Sequence, residues 1–182
     1  MPAPLVKWGR HPCLPLLATN EMRTAESKIV TLDRAAQAAA EARAAGRRVV
    51  LANGCFDLLH VGHSRYLEGA AAVADLMIVG VNGDGSVRRL KGGGRPLLAA
   101  LDRARLVAAL RATDYVVVFE EDNVRNLIAA IRPDFHAKGT DYTTESVPER
   151  DAVLAVGGQV AIVGDPKDHN TRDLIRHIQE SG

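Results

Sequence analysis

Asn53-Gly-Cys-Phe-Asp-Leu-Leu-His-Val-Gly-His63 is the stretch whose reading decides the fold. Ahead of it stands a short apolar run, Arg48-Val-Val-Leu-Ala52, whose length and composition predict a buried strand. Behind it stands Ser64-Arg-Tyr-Leu-Glu-Gly-Ala-Ala-Ala-Val73, which predicts a helix. The stretch is therefore a strand-to-helix turn. In an open parallel sheet, ligands bind beyond the carboxyl ends of the strands, where strand order reverses. A helix N-terminus placed there offers unpaired N–H groups and a positive dipole end, which suits a phosphate.

His60 and His63 are three residues apart, so a helix beginning near His60 puts both on one face of its first turn. Gly62 between them leaves the backbone uncovered for a bulky anion. Imidazole N–H donors aimed at one phosphate would stabilise charge developing there. The competing readings are a zinc pair and two structural histidines. Zinc needs further ligands of suitable type, and the chain has neither Cys-x-x-Cys nor His-Glu-x-x-His, with Cys55 a single nearby thiol.

Working outward, strand and helix alternate five times. The strands are expected at Arg48–Ala52, Asp75–Asn82, Asp114–Phe119, Pro133–Lys138 and Gln159–Val163. Their near-continuous apolar runs fit a parallel sheet covered on both faces. The expected fold is a Rossmann-like, doubly wound, five-stranded parallel sheet with right-handed crossovers. Asp33 is expected to cap a helix running to about Ala45. Other helices are expected over Ala99–Ala112, from the Glu120–Asn123 cap to Ile131, over Val147–Val156 and over Thr171–Gln179. Residues 1–25, with Pro2, Pro4, Pro12 and Pro15, predict a poorly ordered extension, and residues 26–182 a single domain.

Four sets of loops then converge on one edge: 54–63, 82–95, 138–142 and 164–172. The second is read as a flap, Arg88-Arg-Leu-Lys-Gly-Gly-Gly-Arg-Pro96, whose Lys91 and Arg95 grip a polyphosphate. Arg103 is expected to face the cleft and Arg105 the solvent. Asn170 or Thr171 would open the last helix as a second phosphate seat. With Lys, Arg or His on three of these loops, the cleft is expected to be locally positive.

The composition narrows the function. A net charge of +1 argues against a general nucleic-acid binder. Two cysteines, Cys13 and Cys55, make no disulfide framework and suit a reducing cytosol. No apolar run reaches the length of a membrane span, so a cytoplasmic protein is expected. The absence of Gly-x-x-x-x-Gly-Lys-Ser/Thr argues against a P-loop NTPase, and that of Gly-x-Gly-x-x-Gly after strand one against a dinucleotide dehydrogenase.

Gly54-Cys-Phe-Asp-Leu-Leu-His-Val-Gly-His63 resembles the signature of the HxGH nucleotidyltransferase superfamily. Lys28-Ile-Val-Thr-Leu32, Val81-Asn-Gly-Asp84, Arg89-Leu-Lys-Gly-x-x-Arg-Pro96, Phe119-Glu-Glu-Asp122 and Lys138-Gly-x-Asp-Tyr142 extend the likeness over about residues 27–180. Together they are similar to the adenylyltransferase family of ADP-heptose synthesis. That resemblance implies ATP and heptose 1-phosphate as substrates, Mg²⁺ with the ATP, a homodimer, and no nucleic-acid or membrane partner. It implies catalytic roles for His60, His63 and Lys91. It implies nucleotide contacts for Gly54, Cys55, Phe56, Asp57, Gly62, Asp84, Arg103, Lys138, Gly139, Asp141 and Thr171. Arg172, also placed among the nucleotide-binding residues, stands where the family tends to another residue, in Asn170-Thr-Arg-Asp173. The alternatives are a cytidylyl- or guanylyltransferase acting on glycerol 3-phosphate or a heptose phosphate, and a non-catalytic nucleotide-binding module.

Overall fold

A computed structural model describes residues 23–165 and Glu180. The order along the chain is α1 (Ala25–Lys28), α2 (Leu32–Ala44), β1 (Val49–Gly54), α3 (Val61–Ala71), β2 (Leu76–Asn82), α4 (Asp84–Lys91) and α5 (Ala100–Ala109). Then come β3 (Tyr115–Phe119), α6 (Arg125–Ile131), β4 (Phe135–Lys138), α7 (Arg150–Ala155) and β5 (Gln159–Ile162). The expected helix over 171–179 lies outside the described residues.

The five strands form one sheet in the order β3-β2-β1-β4-β5, with every pairing parallel. The chain leaves β1 in one direction through β2 and β3, then crosses back to lay β4 on the other side of β1. The reversal of order therefore falls between β1 and β4, whose ends flank the place where a ligand is expected.

The two-residue period of each strand sorts its side chains between two cores. Val49 and Leu51 of β1 face α2 and α6, packing with Ala35, Ala39, Leu127, Ile128 and Ile131. Val50 and Ala52 face α3 and α5, packing with Leu67, Ala70, Ala104 and Val107. Alanines on the inner faces of α2, α3 and α5 let these helices lie close to the sheet. Asp75, Asp114 and Asp134, just ahead of β2, β3 and β4, each accept from a backbone N–H at the start of a neighbouring strand: Arg48, Met77 and Val49, at 2.8, 2.8 and 2.7 Å.

Three details differ from the sequence reading. The cap of α2 is Thr31, whose side chain accepts from Arg34 N–H, and Asp33 lies in the first turn instead. An additional short helix, α1, starts at Ala25 under a Thr24 cap, ahead of the lead-in expected over Lys28–Asp33. And Arg88–Lys91 is the last turn of α4, not flexible loop: the helix stops only at Gly92, with φ +88°. Basic residues at a helix C-terminus are favoured by its dipole, so this end of the flap starts from a fixed point.

Candidate active site

β1 runs directly into the turn that carries the two histidines. His60 is the N-cap of α3, in extended conformation (φ −138°, ψ 170°), and His63 is three residues into the helix. Their rings stack with centroids 3.8 Å apart and planes at 27°. The edge of Phe56 meets His63 at 5.2 Å. His63 Nδ1 accepts from the backbone N–H of His60 at 3.4 Å, which leaves the ring proton on Nε2. Burial first, then the neighbouring His60, lowers the His63 pKa from 6.5 to about 4, although a backbone hydrogen bond at Leu58 pulls upward. His63 is therefore a neutral donor at physiological pH. As a general base it would be weak.

A cleft of about 1090 Å³ opens over this turn. Gly54, Cys55, Phe56, Asp57, His60, Gly62, His63, Lys91, Lys138, Gly139 and Asp141 all line it, as the sequence reading placed them. Thr171 and Arg172 lie outside the described residues. Asp84 and Arg103 are not among the lining residues. The Arg103 side chain is fully buried and its Nη2 donates to Asp84 at 2.8 Å, so the expectation that it faces the cleft is corrected. Arg105 is exposed as expected and pairs with Glu26.

Among the described residues, the charges of the cleft are largely paired, while Lys167, His169 and Arg172 of the fourth loop lie outside those residues. Among the described residues the charged lining residues are Arg65, Lys91, Arg95 and Lys138 against Asp57, Asp122, Asp141, Glu149 and Asp165. Arg65 pairs with Asp165 at 3.4 Å, Arg95 with Asp57 at 2.6 Å, and Lys138 with Glu149 at 3.2 Å. Lys91 has no ion pair among the described residues. The carboxylate partners of these three cations come from other loops, so a count along the chain does not show the pairing.

Asp57 works as a clamp. Burial pushes its carboxyl pKa up, but hydrogen bonds from Arg95 and from the Leu97 and Leu98 N–H groups outweigh that and hold it low. Those bonds are 2.6, 2.6 and 3.3 Å long. Cys55 is half-buried, and burial raises its thiol pKa despite Lys91 and Arg103 nearby. That shift disfavours the thiolate a nucleophile would need.

Sequence reasoning picked out Lys138 but missed its polar partners Asn53 and His136. Asn53, His136 and Lys138 share one face of β1 and β4. Asn53 Oδ1 meets His136 Nε2 at 3.2 Å and accepts from Lys138 Nζ at 3.1 Å. Tyr66 donates to the Ala137 carbonyl at 2.9 Å and accepts from Asn53 N–H at 3.4 Å. The odd-numbered polar residue closing an apolar strand was the available signal: Asn53 continues the Val49, Leu51 face. Among the described residues no group of three or more His, Cys, Asp or Glu is placed to hold a metal ion.

Residues 51–176 match the family described as cytidylyltransferase-like, more than half of the chain. The chain belongs to the cytidylyltransferase-like family. This is a family of nucleotidyltransferases of the HxGH type. The cytidylyltransferase-like domain is also similar to curated proteins named "Bifunctional protein HldE". That of Pelobacter propionicus is 46% identical over 155 residues, covering 85% of this chain and 32% of the relative. That of Pseudomonas paraeruginosa is 41% identical over 165 residues, covering 91% and 35%. The chain thus spans about a third of the length of the curated relatives it matches. Among solved structures, a lipopolysaccharide core biosynthesis protein from Thermoplasma volcanium GSS1 aligns with a TM-score of 0.59 and 23% identity, over 67% of this chain and 100% of that one. At that identity the likeness concerns the fold, here a cytidylyltransferase-like sheet with flanking helices.

Proposed function

We propose that this chain transfers the adenylyl group of ATP to heptose 1-phosphate, giving ADP-heptose and pyrophosphate for lipopolysaccharide or another surface polysaccharide. The observation that carries the reading is the stacked His60–His63 pair at the N-terminus of α3, set in a cleft at the reversal of strand order. Identity to the HldE proteins over most of this chain supports the choice of substrates.

An ionised oxygen of the sugar phosphate attacks the α-phosphorus of ATP. A P–O bond forms there as the bond to the β-phosphate oxygen breaks, and pyrophosphate carries the electron pair away. No general base is required, because the attacking oxygen is already deprotonated. Catalysis is positioning plus stabilisation of charge. His63 Nε2–H and the free N–H groups opening α3 face the developing charge. Lys91, at the end of α4, holds phosphate oxygens from the flap side. Mg²⁺ enters with ATP as part of the substrate. The same reading has the enzyme act in the cytoplasm as a homodimer, with neither nucleic acid nor membrane as partner. Among the described residues no helix is long and apolar enough to cross a membrane.

The test is pyrophosphate release from ATP, CTP and GTP, each with heptose 1-phosphate or glycerol 3-phosphate. Turnover confined to ATP with heptose 1-phosphate is expected. Turnover with another pair would keep the mechanism and change the substrates. Nucleotide binding without turnover in any mixture would overturn the enzymatic reading.

A further inference from the structure

Arg103 is the largest fully buried side chain of the described residues, and all its hydrogen bonds go to the frame of the site. Its Nη1 donates to the Cys55 carbonyl at 2.5 Å, its Nε to the Leu98 carbonyl at 2.9 Å and its Nη2 to Asp84 at 2.8 Å. One guanidinium thus ties together the histidine turn, the far base of the flap and the start of α4. A planar fork is suited to such fixed, divergent acceptors, and a lysine is not.

The grip on Cys55 falls just before a strained residue. Phe56 has φ +48°, a left-handed conformation unusual for a bulky side chain. Its ring is buried and lies across Gly54, where a Cβ would come within 3.1 Å of it. The same ring packs against His63 in a T-shaped arrangement, with centroids 5.2 Å apart. A continuous chain of contacts therefore runs from Arg103 through the Cys55 carbonyl and Phe56 to His63.

We infer that Arg103 is a positioning residue: it holds the Cys55–Phe56 turn in its left-handed form, so seating His63, and it makes no contact with the nucleotide. This rests on the reading of His63 as the group that faces the reacting phosphate. It departs from the direct nucleotide contact that the family resemblance implies.

Arg103→Lys retains the charge and loses the fork. The expected result is a kcat lowered at least tenfold with KM for ATP within about threefold. The His63 imidazole, followed by NMR, should titrate at least half a unit closer to 6.5 as the turn loosens. In a double-mutant cycle with Phe56→Leu, the combined loss in kcat should be smaller than the product of the single losses. A raised KM at unchanged kcat, an unmoved His63 titration, or strictly multiplicative losses would each overturn the inference. Should Arg103→Lys fail to fold, wild-type protein labelled at arginine ¹⁵Nε decides it. On titration with MgATP the Arg103 Nε–H signal is expected to stay in place, and a downfield shift saturating with nucleotide would overturn the role. The NMR arms need no turnover, so they stand or fall separately from the choice of substrates.

Discussion

Asp57 and Arg95, thirty-eight positions apart, meet at 2.6 Å with both side chains largely buried, so an ion pair ties the histidine turn to the flap. The same carboxylate takes the N–H groups of Leu97 and Leu98, and Arg103 takes the Leu98 carbonyl. Only the glycines at 92–94 are left outside this clamp, and Gly92 and Gly94 carry positive φ. Asp57→Asn keeps an acceptor and removes the charge facing Arg95. Tryptic cleavage after Lys91 should accelerate by about tenfold, as local opening becomes easier. Cleavage at the wild-type rate would show that the ion pair does not restrain the flap.

His63→Ala should lower kcat by about 10²-fold or more while changing the ATP dissociation constant by only a few-fold, because the donor acts on charge that develops in the transition state. Single-turnover kinetics alongside calorimetric ATP binding separates the two effects. A loss confined to binding would remove the histidine from the chemistry.

The pH profile follows from the same residue. With a folded pKa near 4, His63 stays neutral down through pH 5. The value of kcat should therefore show no acidic limb near 6.5, where an ordinary histidine would produce one. A limb centred near 6.5 that vanishes in His63→Gln would contradict a neutral donor.

Stability carries a different pH signature. Burial first, and the Lys138 charge second, lower the His136 pKa to about 3. Between that value and 6.5 the unfolded chain binds a proton that the folded chain refuses. Stability therefore falls as pH drops through this window, and His63 adds in the same direction. A loss on the order of 3 kcal/mol from each of the two groups between pH 7 and pH 4 is expected. Urea denaturation at several pH values checks it, and His136→Gln should flatten the slope. An unchanged slope in that variant would assign the pH dependence to other groups.

Packing at the sheet centre predicts one further contrast. A Cβ at Gly80 would lie 2.8 Å from Leu127 Cδ2 and 3.2 Å from Phe119 Cε1, inside the core. Gly80→Ala should cost about 1–3 kcal/mol by overpacking. Gly93 has nothing within 4 Å of the same position, so Gly93→Ala should be within about 0.5 kcal/mol of wild type. Equal midpoints in urea for the two variants would show that the β2 face has room to relax.

The strands were legible because each is a short, nearly unbroken apolar run, as in Leu76-Met-Ile-Val-Gly-Val-Asn82, and burial on both sheet faces demands that pattern. The histidine turn was legible because its residues are neighbours in the chain and a helix start fixes their spacing. Lys91 was misplaced into a loop because three consecutive glycines masked a helix that runs up to them. Asn53, His136, Tyr66 and Glu149 were not picked out, since each looks ordinary until β1 and β4 lie side by side.

By itself, then, the sequence determined the alternation of strand and helix, the parallel sheet, and the placing of His60 and His63 on the first turn of α3. These depend on local periodicity and on contacts between near neighbours. Only the tertiary structure decided which cations are free to meet a substrate. Arg95 is neutralised by Asp57, Lys138 by Glu149, and Arg103 is drawn inside to brace Cys55. Charge pairing and burial depend on distances through space between residues far apart in the chain, and no period in the sequence encodes those distances.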